Sequence, residues 1–127
     1  MVRPLTERTA NMAKLAVPLP CGVVDAIQQL VEERNRQQGP AQQRLYARDL
    51  HEEALRELLD RAEAGEPLLF LAPLSAKARK SLWINGDLKA AVDDLADRQG
   101  VTRAAVVMTA LHGYLRRRGK LPASPAP

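Results

Sequence analysis

The sequence predicts a small, mainly α-helical fold with a two-stranded antiparallel ribbon, built from two strand–helix–helix units. Apolar residues recur at helical spacing in four segments, and two short segments alternate in polarity as strands do. With 127 residues, 46% of them hydrophobic, the chain has the size of one domain. Aromatic residues make up only 3%, so the core must consist mainly of aliphatic side chains, which argues against an all-β sandwich.

Cysteine content and hydropathy indicate the cellular compartment in which the protein is expected. The single cysteine, Cys21, cannot form an internal disulfide. No segment approaches the ~20 consecutive apolar residues that a membrane-spanning helix needs. The N-terminal residues lack the apolar centre of a secretory signal and are expected to form a flexible arm. We therefore expect a cytoplasmic protein that does not enter a membrane.

The first unit is predicted from residue 14 onward. Its strand covers residues 14–19, where apolar side chains alternate at Leu15, Val17 and Leu19. A helix follows, with apolar residues at helical spacing between Val23 and Val31. A second helix carries the same spacing from residue 50 to residue 59. The polar residues 35–43 are expected to separate the two helices, and Gly65 and Pro67 to end the second.

The second unit repeats this order nearer the C-terminus. A strand is predicted over residues 79–84, and an amphipathic helix over residues 87–99. Asn85 or Asp87 can cap the start of this helix, and Gly100 can adopt the left-handed conformation that ends it. Thr102 is the expected N-cap of the last helix, which Gly119 closes.

The two units match position by position. Apolar positions of their first helices lie 65 residues apart and those of their second helices 56 apart, so the first unit contains an insertion between its helices. A lone unit could not satisfy its strand edges or bury its apolar stripes, whereas two units can share a sheet and a core. We expect one folded domain: a flexible arm (1–12), a first repeat (13–64), a connector (65–78), a second repeat (79–119) and a disordered tail (120–127).

Charge is distributed unevenly along the chain. The formal net charge is +4. Positive charge collects in residues 1–19 and 77–83 and at the C-terminus, whereas the helical segments between them are mildly acidic. This distribution is typical of a protein whose basic segments contact a polyanion while its acidic helices lie on the opposite side.

The second unit, KSLWINGDLKAAVDDLADRQGVTRAAVVMTALHGYL, resembles the ribbon-helix-helix (MetJ/Arc-type) superfamily of DNA-binding proteins. The first unit resembles the superfamily less closely, because its turn between the helices is longer and because Tyr46 occupies the position that Thr102 occupies in the second unit. Two copies in one chain are similar to the tandem members that accompany DNA transfer, such as T-DNA border-binding virulence accessory proteins. The resemblance implies a monomeric, intramolecular pseudo-dimer whose ribbon enters the major groove of duplex DNA.

The resemblance also implies which residues touch DNA. Ribbon side chains that point outward read base edges. By position these are Lys14, Ala16, Pro18, Arg79, Ser81 and Trp83. Lys80 occupies a position that should face the core, and its ammonium group is expected near phosphate with its stem buried. Backbone N–H groups at the start of the second helices bind phosphates in the superfamily, and the matching residues are Tyr46, Ala47, Thr102 and Arg103.

Several features allow two interpretations. Trp83 could contact a thymine methyl group or cover an apolar edge. The run of arginines at 116–118 could contact DNA or be a solvated last turn that matches the helix dipole. The apolar residues 68–71 could dock a partner or pack on the core. His51 and His112 lack metal-ligand spacing and are expected at the surface.

No phosphate loop, nucleophile elbow or metal-binding signature is present, and Cys21 has no histidine nearby in sequence. We therefore expect no enzymatic activity and no cofactor. The predicted function is sequence-specific binding of double-stranded DNA, as an accessory factor in plasmid or T-DNA-type transfer or as a transcriptional repressor, with other DNA-processing proteins as further partners. The alternative is a protein-interaction or antitoxin-like module that docks through the apolar connector.

Overall fold

Four helices and one two-stranded antiparallel sheet form the part of the chain that the computed structural model describes, residues 12–38, 44–71 and 78–120, with the side chains of 78–80 excluded. The order is β1 (Met12–Leu19), α1 (Cys21–Gln37), α2 (Ala47–Glu63), β2 (Ala78–Asn85), α3 (Gly86–Gln99) and α4 (Arg103–Arg117). The predicted mainly α-helical class with an antiparallel two-stranded sheet is confirmed. Most of the expected arm, the Gly39–Pro40 turn and nearly all of the expected tail lie outside the described residues.

The sheet pairs β1 with β2 so that Leu15 lies opposite Leu82 and Val17 opposite Lys80. Because side chains alternate between the two faces of a strand, this register places one apolar set on the inner face. These side chains are at most 1% exposed: Leu15, Val17, Leu19, Leu82 and Ile84. The predicted inward set is therefore confirmed. Both strands begin earlier than expected, at Met12 and Ala78.

The inner face of the sheet packs on the helices in one continuous core. Helices α2 and α4 contribute half of its largest fully buried side chains, including Leu50, Leu55 and Tyr114. The connector also packs here: Leu68, Phe70 and Leu71 are partly buried against this core, and the Leu71 N–H donates to the Thr109 hydroxyl at 2.8 Å. Three of the four apolar residues 68–71 thus pack on the core.

The helices of the second unit begin and end at the capping residues that the sequence predicts. The Asn85 side chain caps α3 by accepting the N–H groups of Asp87 at 2.8 Å and Leu88 at 3.3 Å. Gly100 has a φ of 66°, which lets the chain turn out of α3. The Thr102 hydroxyl accepts the N–H of Ala105 at 3.1 Å at the start of α4. These three predicted caps are confirmed.

The link between α1 and α2 differs from the prediction. Helix α1 extends to Gln37, so the first three residues assigned to the polar insertion are helical. The Asn35 side chain holds the returning chain, because its amide donates to the Leu45 carbonyl at 3.0 Å and accepts the Leu45 N–H at 2.8 Å. At the start of α2, the Asp49 carboxylate accepts the Tyr46 N–H at 2.8 Å.

The expectation that both histidines lie at the surface is wrong. His51 is 6% exposed and His112 is 8% exposed. Helix α4 is buried on most of its circumference, so its buried surface is wider than the stripe of apolar residues that marks it in the sequence. Burial, together with the nearby positive charge of Arg116, lowers the pKa of His112 and favours its neutral form.

Replacing Gly100 tests the turn between α3 and α4. We expect Gly100→Ala to lower the free energy of unfolding by about 1–2 kcal/mol, because a Cβ is disfavoured at positive φ. Gly22→Ala is the matched control: Gly22 is helical and an added Cβ meets nothing within 4 Å, so stability should be unchanged or higher. Urea denaturation measures both, and equal stability of Gly100→Ala and the wild type would contradict the assigned turn.

Candidate nucleic-acid interface

The outer face of the sheet carries the residues predicted to read bases. Lys14, Ser81 and Trp83 are exposed, and Ala16 and Pro18 are half-buried. In the register, Lys14 lies opposite Trp83 and Ala16 lies opposite Ser81. The backbone of Arg79 pairs with that of Pro18, while the side chains of Arg79 and Lys80 lie outside the described residues. The register thus pairs all six predicted positions with one another across the two strands.

Trp83 presents a large apolar surface on this face, since its side chain is 51% exposed. Lys14 lies directly opposite Trp83 in the register, so the Cβ atoms of the two residues are roughly 5 Å apart. Half of the ring surface remains open to a ligand. This exposure favours the contact interpretation of Trp83 over that of an edge-covering residue.

The dimensions and chemistry of the outer face are compatible with the major groove of DNA. Strands of eight residues extend roughly 26 Å, and the two strands lie about 5 Å apart. A two-stranded ribbon of this width fits a major groove about 12 Å wide. Lys14 can donate hydrogen bonds to base acceptors, and Ser81 can both donate and accept. Small side chains at Ala16 and Pro18 permit a close approach.

The starts of α2 and α4, predicted to bind phosphate, differ in charge. At α4, the Arg103 guanidinium donates two hydrogen bonds to the Asp93 carboxylate, at 2.6 and 3.0 Å. That carboxylate compensates the charge of Arg103. At α2, Tyr46 is 50% exposed and the Arg48 guanidinium lies 5.4 Å from the centre of its ring. The two helix starts therefore differ in how their arginines are held.

Two of the three arginines at 116–118 belong to a polar network on the surface of the helical layer. Arg117 pairs with Glu57, and Arg118 pairs with Glu57 at 3.1 Å while its guanidinium lies 3.6 Å from the centre of the Tyr114 ring. Arg34 of α1 reaches the same network, donating to the Tyr114 hydroxyl at 3.0 Å. The network ties α1, α2 and α4 together. Sequence reasoning missed it, because its partners lie about 60 to 80 residues apart.

The network changes the acidity of its members. Burial, and then the negative charge of Glu53, raise the pKa of Tyr114 to about 12, so its hydroxyl stays protonated. Burial of Glu57 acts to raise its pKa, but hydrogen bonds and charge from Arg117 and Arg118 outweigh that effect and lower it. Glu57 is therefore held ionised.

Two clefts open beside the ends of the sheet. One, of about 170 Å³, lies where β1 ends and is lined by residues that include Leu19, Ala47 and the buried His51. The other lies where β2 meets α3 and is lined by residues that include Asp60 and Asp87.

Within the described ranges, no cluster of His, Cys, Asp and Glu side chains could hold a metal ion. No helix in those ranges has the length and apolarity to cross a membrane.

Comparison with known proteins gives no further guide. No family model, curated protein or solved structure matches this chain. Functional inference therefore depends on the chemistry of the outer sheet face and its surroundings.

The pKa of Glu57 leads to a prediction about acid stability. A carboxylate whose pKa is lowered by folding stabilises the fold above its unfolded value, near 4.5, and that stabilisation is lost as the pH falls through the folded value. We expect Glu57→Gln to reduce the free energy of unfolding at pH 7 and to flatten its decrease between pH 5 and pH 3. Urea denaturation across that range measures both effects.

Glu63→Gln, at the exposed end of the same helix, is the matched control and should leave the pH profile unchanged. An unaltered pH profile in Glu57→Gln would show that the ion pairs with Arg117 and Arg118 do not stabilise the fold.

Proposed function

We propose that this protein binds double-stranded DNA in a sequence-specific manner by inserting the outer face of its sheet into the major groove. The observation that carries this proposal is the division of the sheet into a sealed apolar inner face and an outer face that exposes Lys14, Ser81 and Trp83. A two-stranded sheet with such an outer face can read base edges directly. The half-exposed indole of Trp83 gives this face an apolar surface that can contact a thymine methyl group.

The finer architecture belongs to the same proposal. We propose that the two strand–helix–helix units form a single-chain pseudo-dimer of the ribbon-helix-helix type, with β1 and β2 as its ribbon. The helix pairs that follow each strand, and the shared core, are what such an arrangement needs. Because the two strands present different side chains, the DNA site should be asymmetric rather than a true palindrome.

The biological role we propose is that of an accessory factor in plasmid or T-DNA-type transfer, or of a transcriptional repressor, acting in the cytoplasm. Its contribution is binding and placement on DNA rather than catalysis. The sequence resemblance to tandem members that accompany DNA transfer supports the first of these roles.

A protein-interaction module is the second candidate, and one observation favours it. Leu69 in the connector is 85% exposed, the largest exposure among the large apolar residues that the structure describes. Its neighbours Leu68 and Phe70 pack on the core, so the exposed apolar surface amounts to a single side chain. The outer sheet face offers more surface and more polar groups, and we favour DNA for that reason.

Tryptophan fluorescence tests the main proposal, because Trp83 is the only tryptophan in the chain. A site is first selected from a pool of random duplexes. We expect the bound duplex to change the emission of Trp83 and the affinity to fall steeply between ~50 and ~200 mM salt, as phosphate neutralisation requires. Binding that leaves the Trp83 emission unchanged would contradict the proposed face. Failure to select any duplex, together with capture of a protein through Leu69, would favour the interaction module.

Substitutions on the ribbon test base reading. We expect Arg79→Ala to cost about 1–3 kcal/mol of binding free energy and to relax the preference at one base position. Lys14→Ala should weaken binding at a different position of the site, because Lys14 lies on the other strand. Arg98→Ala is the control, since Arg98 is exposed and already paired with Asp94 at 2.8 Å. Competition between single-base variants of the selected duplex measures the change, and a perfect inverted repeat as the selected site would contradict pairing of two unlike strands.

A further inference from the structure

We propose that Glu52 is a positioning residue for base reading: its carboxylate fixes the end of β2 next to Trp83, and thereby the place at which Trp83 and Lys14 meet the DNA. Glu52 acts through the backbone of Asn85 rather than by touching DNA. This inference rests on the proposed function and adds to it a residue of the helical layer that sets the base preference at one end of the site.

The hydrogen bond between Asn85 and Glu52 joins the second strand to a helix of the first unit. Glu52 lies on α2, and its Oε2 atom accepts the N–H of Asn85, the last residue of β2, at 2.9 Å. Its Oε1 atom lies 3.6 Å from the guanidinium of Arg56, one turn further along α2. Each carboxylate oxygen therefore has its own partner, which restricts the orientation of the side chain. Because the Asn85 side chain also caps α3, the corner between β2 and α3 is fixed to α2.

Trp83 lies close enough to this corner to depend on it. It precedes Asn85 by two residues, which is roughly 7 Å along a strand, and it is exposed on the outer face opposite Lys14. Inner-face side chains such as Ile84 hold β2 against the core, but apolar packing is not directional. A hydrogen bond to a carboxylate restricts both a distance and an angle. Glu52 therefore sets the position of the strand end that presents Trp83.

The equivalent positions elsewhere in the chain lack both partners of this hydrogen bond. Pro20 precedes α1 as Asn85 precedes α3, and a proline has no N–H to donate. Met108 of α4 lies 56 positions after Glu52, the spacing that relates the apolar positions of the two second helices, and it has no carboxylate. The carboxylate is thus present where the residue before the helix has an N–H, and absent from the equivalent position where that residue is a proline. This correspondence favours a specific role for Glu52 over chance placement on a polar helix surface.

The expected consequence is local to one end of the site. Loss of the Glu52 carboxylate should loosen the strand end next to Trp83, but not the opposite end of β2, where Arg79 pairs with Pro18. Base preference should therefore change at the base pair read from the Trp83 end and stay unchanged at the base pair read by Arg79. A variant that only lowered stability would change neither preference, because a preference compares two affinities of the same folded protein.

The test measures base preference at both ends of the selected duplex. Lys14→Ala and Arg79→Ala first identify the base pair that each end of the ribbon reads. A wrong base pair typically lowers affinity roughly 5- to 150-fold. We expect Glu52→Ala to lower that ratio about fivefold at the base pair that Lys14→Ala identifies, and to leave it unchanged at the other. Glu52→Gln should restore the preference, because its amide oxygen can accept the Asn85 N–H.

Glu53→Ala is the matched control, because it removes a carboxylate from the adjacent position of α2. Glu53 pairs with Arg34 at 3.1 Å and lies 3.6 Å from Arg118, in the polar network of the helical layer. We expect this variant to be less stable in urea while keeping the wild-type base preference at both ends. The proposal is overturned by an unchanged preference in Glu52→Ala, by an equal loss in Glu53→Ala, or by a loss in Glu52→Gln as large as that in Glu52→Ala.

Amide hydrogen exchange of the protein without DNA gives an independent measurement. The Asn85 amide should exchange about tenfold faster in Glu52→Ala than in the wild type or Glu52→Gln, while the Leu82 amide keeps its rate. Unchanged exchange at Asn85, or equally faster exchange at Leu82, would contradict local fixing of the strand end. In each case that overturns this role of Glu52, a Trp83 emission change on binding still supports the proposed function, whereas its absence in the wild type contradicts both.

Discussion

Pairing of β1 with β2 is the constraint on which the rest of the molecule depends. Within the described residues, each of these strands has the other as its only strand partner. The pairing sets the register that seals Leu15 and Leu82 against the helices, and the same register leaves Lys14 and Trp83 on the opposite face. Burial of one face and exposure of the other are thus two results of one alignment, since a shift by one residue would exchange them.

The distribution of ion pairs decides which positive charges remain for a polyanion. Arg117 and Arg118 make the C-terminus strongly basic in the sequence, but in the fold they join α4 to α2 through Glu57. Arg103 is likewise held by Asp93. Net charge therefore overstates the basic surface near these helices. Lys14 on the outer sheet face forms no ion pair with another described residue, and the proposed function assigns it to DNA.

Local signals predicted the second unit well. Asn85, Gly100 and Thr102 each act through the nearest few residues, so their roles as helix boundaries can be inferred from sequence. The first unit was less predictable, because Asn35 stabilises the returning chain through Leu45, ten residues away. Burial of His51 and His112 also escaped prediction, since a histidine in a helical pattern indicates neither face.

The sequence by itself determined the strands, the helices, their order and the residues that alternate toward the core, because these depend on periodicity and on contacts between near neighbours. Only the tertiary structure decided the partners of the C-terminal arginines and the burial of the histidines. Those features depend on contacts between residues tens of positions apart, and such contacts leave no periodic signal in the chain.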